Sequence, residues 1–336
     1  MTLENSIENS DISPKISIII PTYNRASLLP RVVKSVLNQA FKNIELIIVN
    51  DASTDTTDEV VESFNDKRIV YIKHKENKGP SAAMNTGFDA VRGKYVISIM
   101  DDDEFLPGAF QTIVEKFYEL SPKGIKVLWF DSIDAETGKY SGSGIRKEGY
   151  VSYEDILCNK ITGDYFPAID SLVIGNHRFD QTLWNMPSLF SLKLYRNNKV
   201  FYIPRVLAKS YRNHGQDRIS KPESSFAHIS SILLQEKTFL KEYGEEVKTL
   251  CPSFYGRKLA SLGMYQMLNN GKKEGRKSIL ASFTYHFSLA HSFILILSFI
   301  LNSNQLKYAC LIFFKIKERI TNLSGKFSKH IIHSNG

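Results

Sequence analysis

The sequence holds little cysteine: Cys158, Cys251 and Cys310 are the three in 336 residues. They fall in no metal-ligand spacing and cannot all pair, which excludes a zinc module, predicts no disulfide framework and fits a reducing, cytosolic compartment. Residues 1–14 lack the basic flank and apolar core of an export signal and are expected to form a flexible, polar N-terminal tail. A Gly-x-Gly-x-x-Gly turn after the first apolar run is also missing, so a dinucleotide-binding dehydrogenase is excluded. The net charge of +8 comes without a helix-turn-helix, a zinc spacing or an RNA-binding aromatic signature, which argues against a nucleic-acid partner. Nor is there an unbroken apolar stretch of the roughly 20 residues that a bilayer span needs. Between Lys277 and Lys307 no Asp, Glu, Lys or Arg occurs, yet Ser278, Ser282, Thr284, His286, Ser288 and His291 interrupt the segment. No internal repeat or low-complexity tract is present.

What the sequence does have is alternation. Apolar runs at Ile16 to Ile20, Ile44 to Val49, Ile69 to Ile72, Tyr95 to Met100 and Val127 to Phe130 are separated by polar turns and stretches of helical spacing. Leu28, Leu29, Val32, Val33, Val36 and Leu37 mark one helical face, and Val60, Val61 and Phe64 mark the next. Continuous apolar strands between helices predict an α/β fold, a Rossmann-like, mostly parallel sheet flanked by helices. Periodicity weakens over residues 132–225, and from 226 to 336 the pattern is helical.

Ligands of such sheets sit beyond the carboxyl ends of the strands. Here those ends are polar: Pro21, Thr22, Tyr23, Asn24 and Arg25 after the first run, Asn50, Asp51, Ala52 and Ser53 after the second, and Asp101, Asp102, Asp103 and Glu104 after the fourth. Strand alternation would turn Asp101 and Asp103 to one side. Like charges at ~4 Å repel by roughly 4 kcal/mol at an effective dielectric of ~20, so a cation is expected there. Hard oxygen ligands suit Mg²⁺ or Mn²⁺, with a substrate diphosphate filling further positions.

Four stretches in order, "ISIIIPTYNR", "IELIIVNDASTDTT", "NKGPSAAMNTGF" and "GKYVISIMDDDEFLPGAF", followed by "YRNHGQDRIS" at Tyr211 to Ser220, resemble the family 2 glycosyltransferases across about Lys15 to Ser220. The resemblance implies a GT-A fold and inverting transfer from a nucleotide-sugar donor, with a preference for uridine. It divides the domain at 15–225 into a nucleotide-sugar-binding half, 15–131, and an acceptor-facing half, 132–225. It also implies that Pro21, Thr22 and Tyr23 lie against the base, that Asp51 binds base or ribose, and that Asp101 and Asp103 form a metal-binding Asp-x-Asp. Arg25, Lys78, Gly79, Asn85 and Asp102 join the donor set, and Arg212 and His214 close over the phosphates. Lys78 and Gly79 also have a reading of their own, a cation and a close backbone approach near phosphate.

Two positions depart from the family pattern. Met84 stands where Arg often precedes Asn85, and Met186, Pro187 and Ser188 stand where an acidic general base belongs. None of these three side chains takes a proton at neutral pH. Asp180 ranks first as a substitute catalytic base, with Asp170 and Asp164 as alternatives; a non-catalytic nucleotide-sugar-binding relative is the competing reading. The acceptor is expected to be a glycan or a lipid-linked glycan. The apolar Phe293 to Leu301 and Leu311 to Phe314, beside Lys307, Lys315, Lys317, Arg319, Lys326 and Lys329, suggest interfacial helices held peripherally on the cytoplasmic face of the membrane. A buried helix pair or a contact between copies is the alternative for that region.

Overall fold

The computed structural model describes residues 14–183, 187–211 and 228–312, leaving the side chains of 187 and 188 aside. The described residues form two compact units, one holding every strand and the other the helices that follow the last strand.

In the strand unit the chain runs β1 (Ile16–Thr22), α1 (Leu29–Leu37), β2 (Ile44–Asn50), α2 (Thr57–Glu62), β3 (Ile69–Lys73), α3 (Pro80–Asp89) and β4 (Tyr95–Ser98). It continues with β5 (Asp103–Phe105), α4 (Ala109–Leu120), β6 (Val127–Asp134), β7 (Gly142–Ser143), β8 (Gly149–Val151) and α5 (Tyr153–Leu157). Then come β9 (Thr162–Gly163), β10 (Tyr165–Asp170), α6 (Ser171–Ile174), α7 (Pro187–Tyr195) and β11 (Val200–Ser210). The main sheet has the order β3-β2-β1-β4-β10-β6-β11-β5, and β8 pairs with β11 off that path. β1 to β4 are parallel, as are β6 and β11, while β10 runs against both its neighbours and β5 and β8 run against β11.

The apolar runs are continuous because both faces of the sheet are covered. Ile16, Ile18 and Ile20 pack with Leu29, Val32, Val33 and Val36 of α1 and with Phe110, Ile113 and Phe117 of α4. Ile19, pointing the other way, packs with Ile47, Val49, Ala83, Met84 and Phe88. All five expected strands form, and the helical face from Leu29 to Leu37 is buried as expected.

β11 carries register shifts against β6 between Tyr202 and Val206 and between Val206 and Ala208. Pro204, which has no N–H to give the ladder, sits inside this irregular stretch. Beyond it the end of β11 receives β5, pairing Ser210 with Asp103 and Lys209 with Glu104.

The second unit contains α8 (Ile229–Leu250), α9 (Pro252–Leu268), α10 (Lys272–Ser282), α11 (Leu289–Ile300) and a last helical stretch at 303–312. Its core joins Met264, Met267, Leu268, Ile279, Ile294, Leu306 and Cys310. Among the described residues no helix is long and apolar enough to cross a membrane. One expectation fails: Cys158 of the strand unit is disulfide-bonded, while Cys310 is a free, buried thiol in the helical unit. Parity of three left that arrangement open, and spacing along the chain carries no information on it.

Candidate functional site

The polar strand ends meet at one edge of the sheet. The turn after β1 and the turn after β2 are laced together: Asn24 N–H donates to Ser53 Oγ at 2.9 Å, Thr54 N–H to Asn24 Oδ1 at 2.7 Å, and Ala26 N–H to Asp55 Oδ2 at 2.9 Å. The left-handed backbone of Asn24 (φ 52°) and Ala52 (φ 62°) lets both turns close tightly. Pro21 and Thr22 are buried within β1, whereas Tyr23 is 44% exposed. Of the three residues expected against a base, Tyr23 alone offers an open ring.

Asp51, at the end of β2, is 3% exposed and is held by three donors. Lys78 N–H reaches Oδ1 at 2.9 Å, Gly79 N–H reaches Oδ2 at 2.7 Å, and His74 Nδ1 lies 2.7 Å from Oδ1. A carboxylate accepts about four hydrogen bonds, so one position stays open to a ligand. Asp51 thus clasps the loop before α3. Gly79 makes the clasp possible with φ 85°, a conformation that L side chains rarely adopt. The Lys78 side chain is exposed beside it. His74 was not singled out in the sequence, although its place directly after β3 is one of the strand-end positions; its other ring nitrogen lies 2.9 Å from Thr86 Oγ1.

The acidic run is arranged differently from the expectation. β4 ends at Ser98, Asp101 and Asp102 lie in a turn, and Asp103 opens β5, so strand alternation does not relate Asp101 to Asp103. The Asp101 carboxylate turns inward, accepting from Thr22 Oγ1 at 2.8 Å and from Arg25 Nη1 at 3.3 Å. The same Arg25 nitrogen reaches Asp102 Oδ2 at 2.9 Å. Arg25 therefore supplies the counter-charge for two of the three aspartates. Arg31, which the sequence did not single out, donates to the Asp102 carbonyl at 2.5 Å and stacks 3.7 Å over the Tyr211 ring. Tyr211 in turn donates its hydroxyl to Glu104 Oε1 at 2.8 Å.

Asp103 is the exception. Among the described residues it makes no ion pair, and burial, with the neighbouring charge of Asp102, pushes its carboxyl up to about 7. Burial also raises Asp101, to about 6, against the lowering pull of Arg25 and Thr22. A desolvated carboxylate without a cation is a hard oxygen donor suited to Mg²⁺ or Mn²⁺. Asp103, which accepts from Ser210 and from the Tyr211 N–H but faces no cation among the described residues, fits such an ion, whereas Asp101 already has the Arg25 guanidinium. Among the described residues no group of three or more His, Cys, Asp or Glu is gathered to hold a metal, so any further ligands would come from a bound diphosphate or from outside those residues. Arg212 and His214, expected over the phosphates, lie outside the described residues, as does Met186.

Asn85 is drawn away from this edge: its amide donates to the Phe179 carbonyl at 2.9 Å and accepts from the Phe179 N–H at 2.8 Å. Asp180 follows as an exposed residue.

An α/β enzyme that seats its ligand at the strand ends is the class that this edge fits, with an open aromatic ring, a clasped loop and an acidic turn gathered there. The family model described as "Glycosyl transferase family 2" matches residues 17–174. The GalNAc(5)-diNAcBac-PP-undecaprenol beta-1,3-glucosyltransferase of Campylobacter jejuni is 31% identical over 305 residues, covering 86% of this chain and 95% of that protein. Glycosyltransferase GlyA of Streptococcus pneumoniae is 39% identical over 110 residues, 32% of this chain and 16% of that one. In fold, the crystal structure of S. aureus TarS 1-349 in complex with UDP-GlcNAc aligns with TM-score 0.56 at 16% identity, over 81% of this chain and 93% of that one. The chain belongs to glycosyl transferase family 2. It is a glycosyltransferase.

Proposed function

We propose that the chain transfers a sugar, with inversion, from a uridine-diphosphate donor to a hydroxyl of a lipid-linked glycan, with Mn²⁺ or Mg²⁺ bound at Asp103 and Asp101 nearby. The observation that carries this reading is the half-buried Asp103 carboxylate without an ion pair among the described residues, at the strand edge that also presents Tyr23 and the clasped loop of Asp51. Tyr23 stacks on the base, and the free acceptor position of Asp51 takes a donor from base or ribose. Arg25 keeps Asp101 and Asp102 compensated, so the turn that carries Asp103 holds its shape whether or not a ligand is bound. When bound, the metal neutralises the diphosphate and stabilises the departing nucleotide. The lipid-linked acceptor is suggested by the name of the Campylobacter relative.

The helices of the second unit are proposed to rest on the cytoplasmic face of the membrane. Leu289, Phe293, Ile296 and Ile300 of α11 are each more than half exposed and recur at helical spacing, a stripe with no charge in it. Lys272, Lys273 and Lys277 of α10 and Lys307 add positive charge to the same unit. An apolar stripe with basic neighbours suits an interfacial helix on anionic lipid.

Incubation of the purified chain with UDP-glucose, Mn²⁺ and a polyprenyl-pyrophosphate-linked oligosaccharide, with the product's anomeric configuration read by NMR, tests the reading. A β-linked product supports it. A product that keeps the donor's α configuration, or no product from any uridine-diphosphate sugar, overturns it.

A further inference from the structure

An inverting transfer needs a group to take the acceptor's proton, and the three positions Met186, Pro187 and Ser188 offer none. Asp170, Asp180 and Asp164 are the carboxylates that the sequence leaves for that role. β10 runs antiparallel to β4 and β6, so its two ends lie at opposite edges of the sheet. Asp170, its last residue, pairs with Tyr95 at the start of β4, and its carboxylate accepts from Leu172 N–H at 3.0 Å to cap α6. Six residues of strand put it roughly 20 Å from the ligand edge. Asp180 follows Phe179, which is clasped by Asn85 and stacked on Phe190 with ring centroids 4.1 Å apart, so it is anchored on the flank of α3.

Asp164 comes directly before β10, and Tyr165 after it pairs with Asp131 towards the carboxyl end of β6. It therefore stands at the ligand edge. Its peptide is gripped from both sides: the N–H donates to the Ser141 carbonyl at 3.2 Å and the carbonyl accepts from Ser132 Oγ at 3.2 Å. Gly163 has φ 83°, and a Cβ there would lie 2.2 Å from the Ser141 oxygen, so the small β7–β9 ladder fixes the turn that presents Asp164. The side chain is exposed and, among the described residues, makes no hydrogen bond or ion pair. It is near enough to Asp103 for its charge to add to the upward pressure on that carboxyl.

We propose that Asp164 accepts the proton of the attacking acceptor hydroxyl, an assignment that rests on the transferase reading above. The acceptor O–H bond breaks and its proton passes to a carboxylate oxygen of Asp164. The freed electron pair forms the bond to the anomeric carbon. The bond from that carbon to the diphosphate oxygen breaks, and its electron pair leaves on the nucleotide. With water as acceptor the same balance holds, and free sugar is the product.

The test is UDP release from UDP-glucose and UDP-GlcNAc in Mn²⁺ with water as acceptor, using the full chain, Asp164→Asn, Asp164→Glu and Asp180→Asn, with UDP affinity measured by calorimetry on each. Asp164→Asn is expected to lower kcat by ~10²-fold or more at unchanged UDP affinity, with Asp164→Glu regaining part of the loss. Undiminished kcat in Asp164→Asn, or an equal fall in kcat and UDP affinity, overturns the assignment. A ~10²-fold loss in Asp180→Asn alone also overturns it and moves the role to Asp180. A wild-type chain that turns over neither donor overturns the transferase reading, and this assignment with it.

Discussion

Arg25 bridges Asp101 and Asp102 from a side chain that is 16% exposed, and the two carboxylates beside it are 9% and 14% exposed. Truncating Arg25 strands two nearly buried negative charges, a costlier outcome than losing a surface pair. Arg25→Ala is expected to lower stability by about 2 kcal/mol in urea denaturation, and Arg25→Ala with Asp102→Asn to regain much of it. A double mutant no more stable than Arg25→Ala would show that the pair carries no such load. The crowding of like charge was legible in the acidic run, but what answers it among the described residues is a guanidinium 76 residues away in sequence from Asp101. Pairing at that separation leaves no local signal, which is why Arg31 and His74 also escaped notice.

Two short loops divide the labour of the site. The Gly79 loop carries the donors that clasp Asp51, and the Gly163 turn presents Asp164. A Cβ at Gly79 meets no atom within 4 Å, so Gly79→Ala suffers only backbone strain, about 1–2 kcal/mol, and should weaken UDP binding several-fold by loosening the clasp. Gly163→Ala meets the Ser141 carbonyl and should lower kcat while UDP affinity holds. Calorimetry and steady-state kinetics on the two variants distinguish the roles; matching effects from both would contradict the division. The parallel strands were readable because burial on both faces leaves long Ile and Val runs. β5, β7, β8 and β9, of two or three residues each, were not, since they are defined by partners distant in the chain. The turn at Asp101 and Asp102 belongs with these, and it undid the alternation argument.

At the scale of the whole molecule, the proposed lipid contact rests on a net charge of +8 and the exposed stripe of α11. Phe293→Glu combined with Ile296→Glu, both at exposed positions, should abolish co-sedimentation with anionic vesicles without lowering the melting temperature. Unchanged sedimentation would remove the stripe from any membrane role. The central claim, that the strand edge around Asp103 takes a uridine diphosphate together with a divalent ion, is tested most directly by calorimetric titration of UDP. Binding in Mn²⁺ should weaken by at least about tenfold in EDTA and in Asp103→Asn. Equal affinity in Mn²⁺, in EDTA and in Asp103→Asn would contradict it.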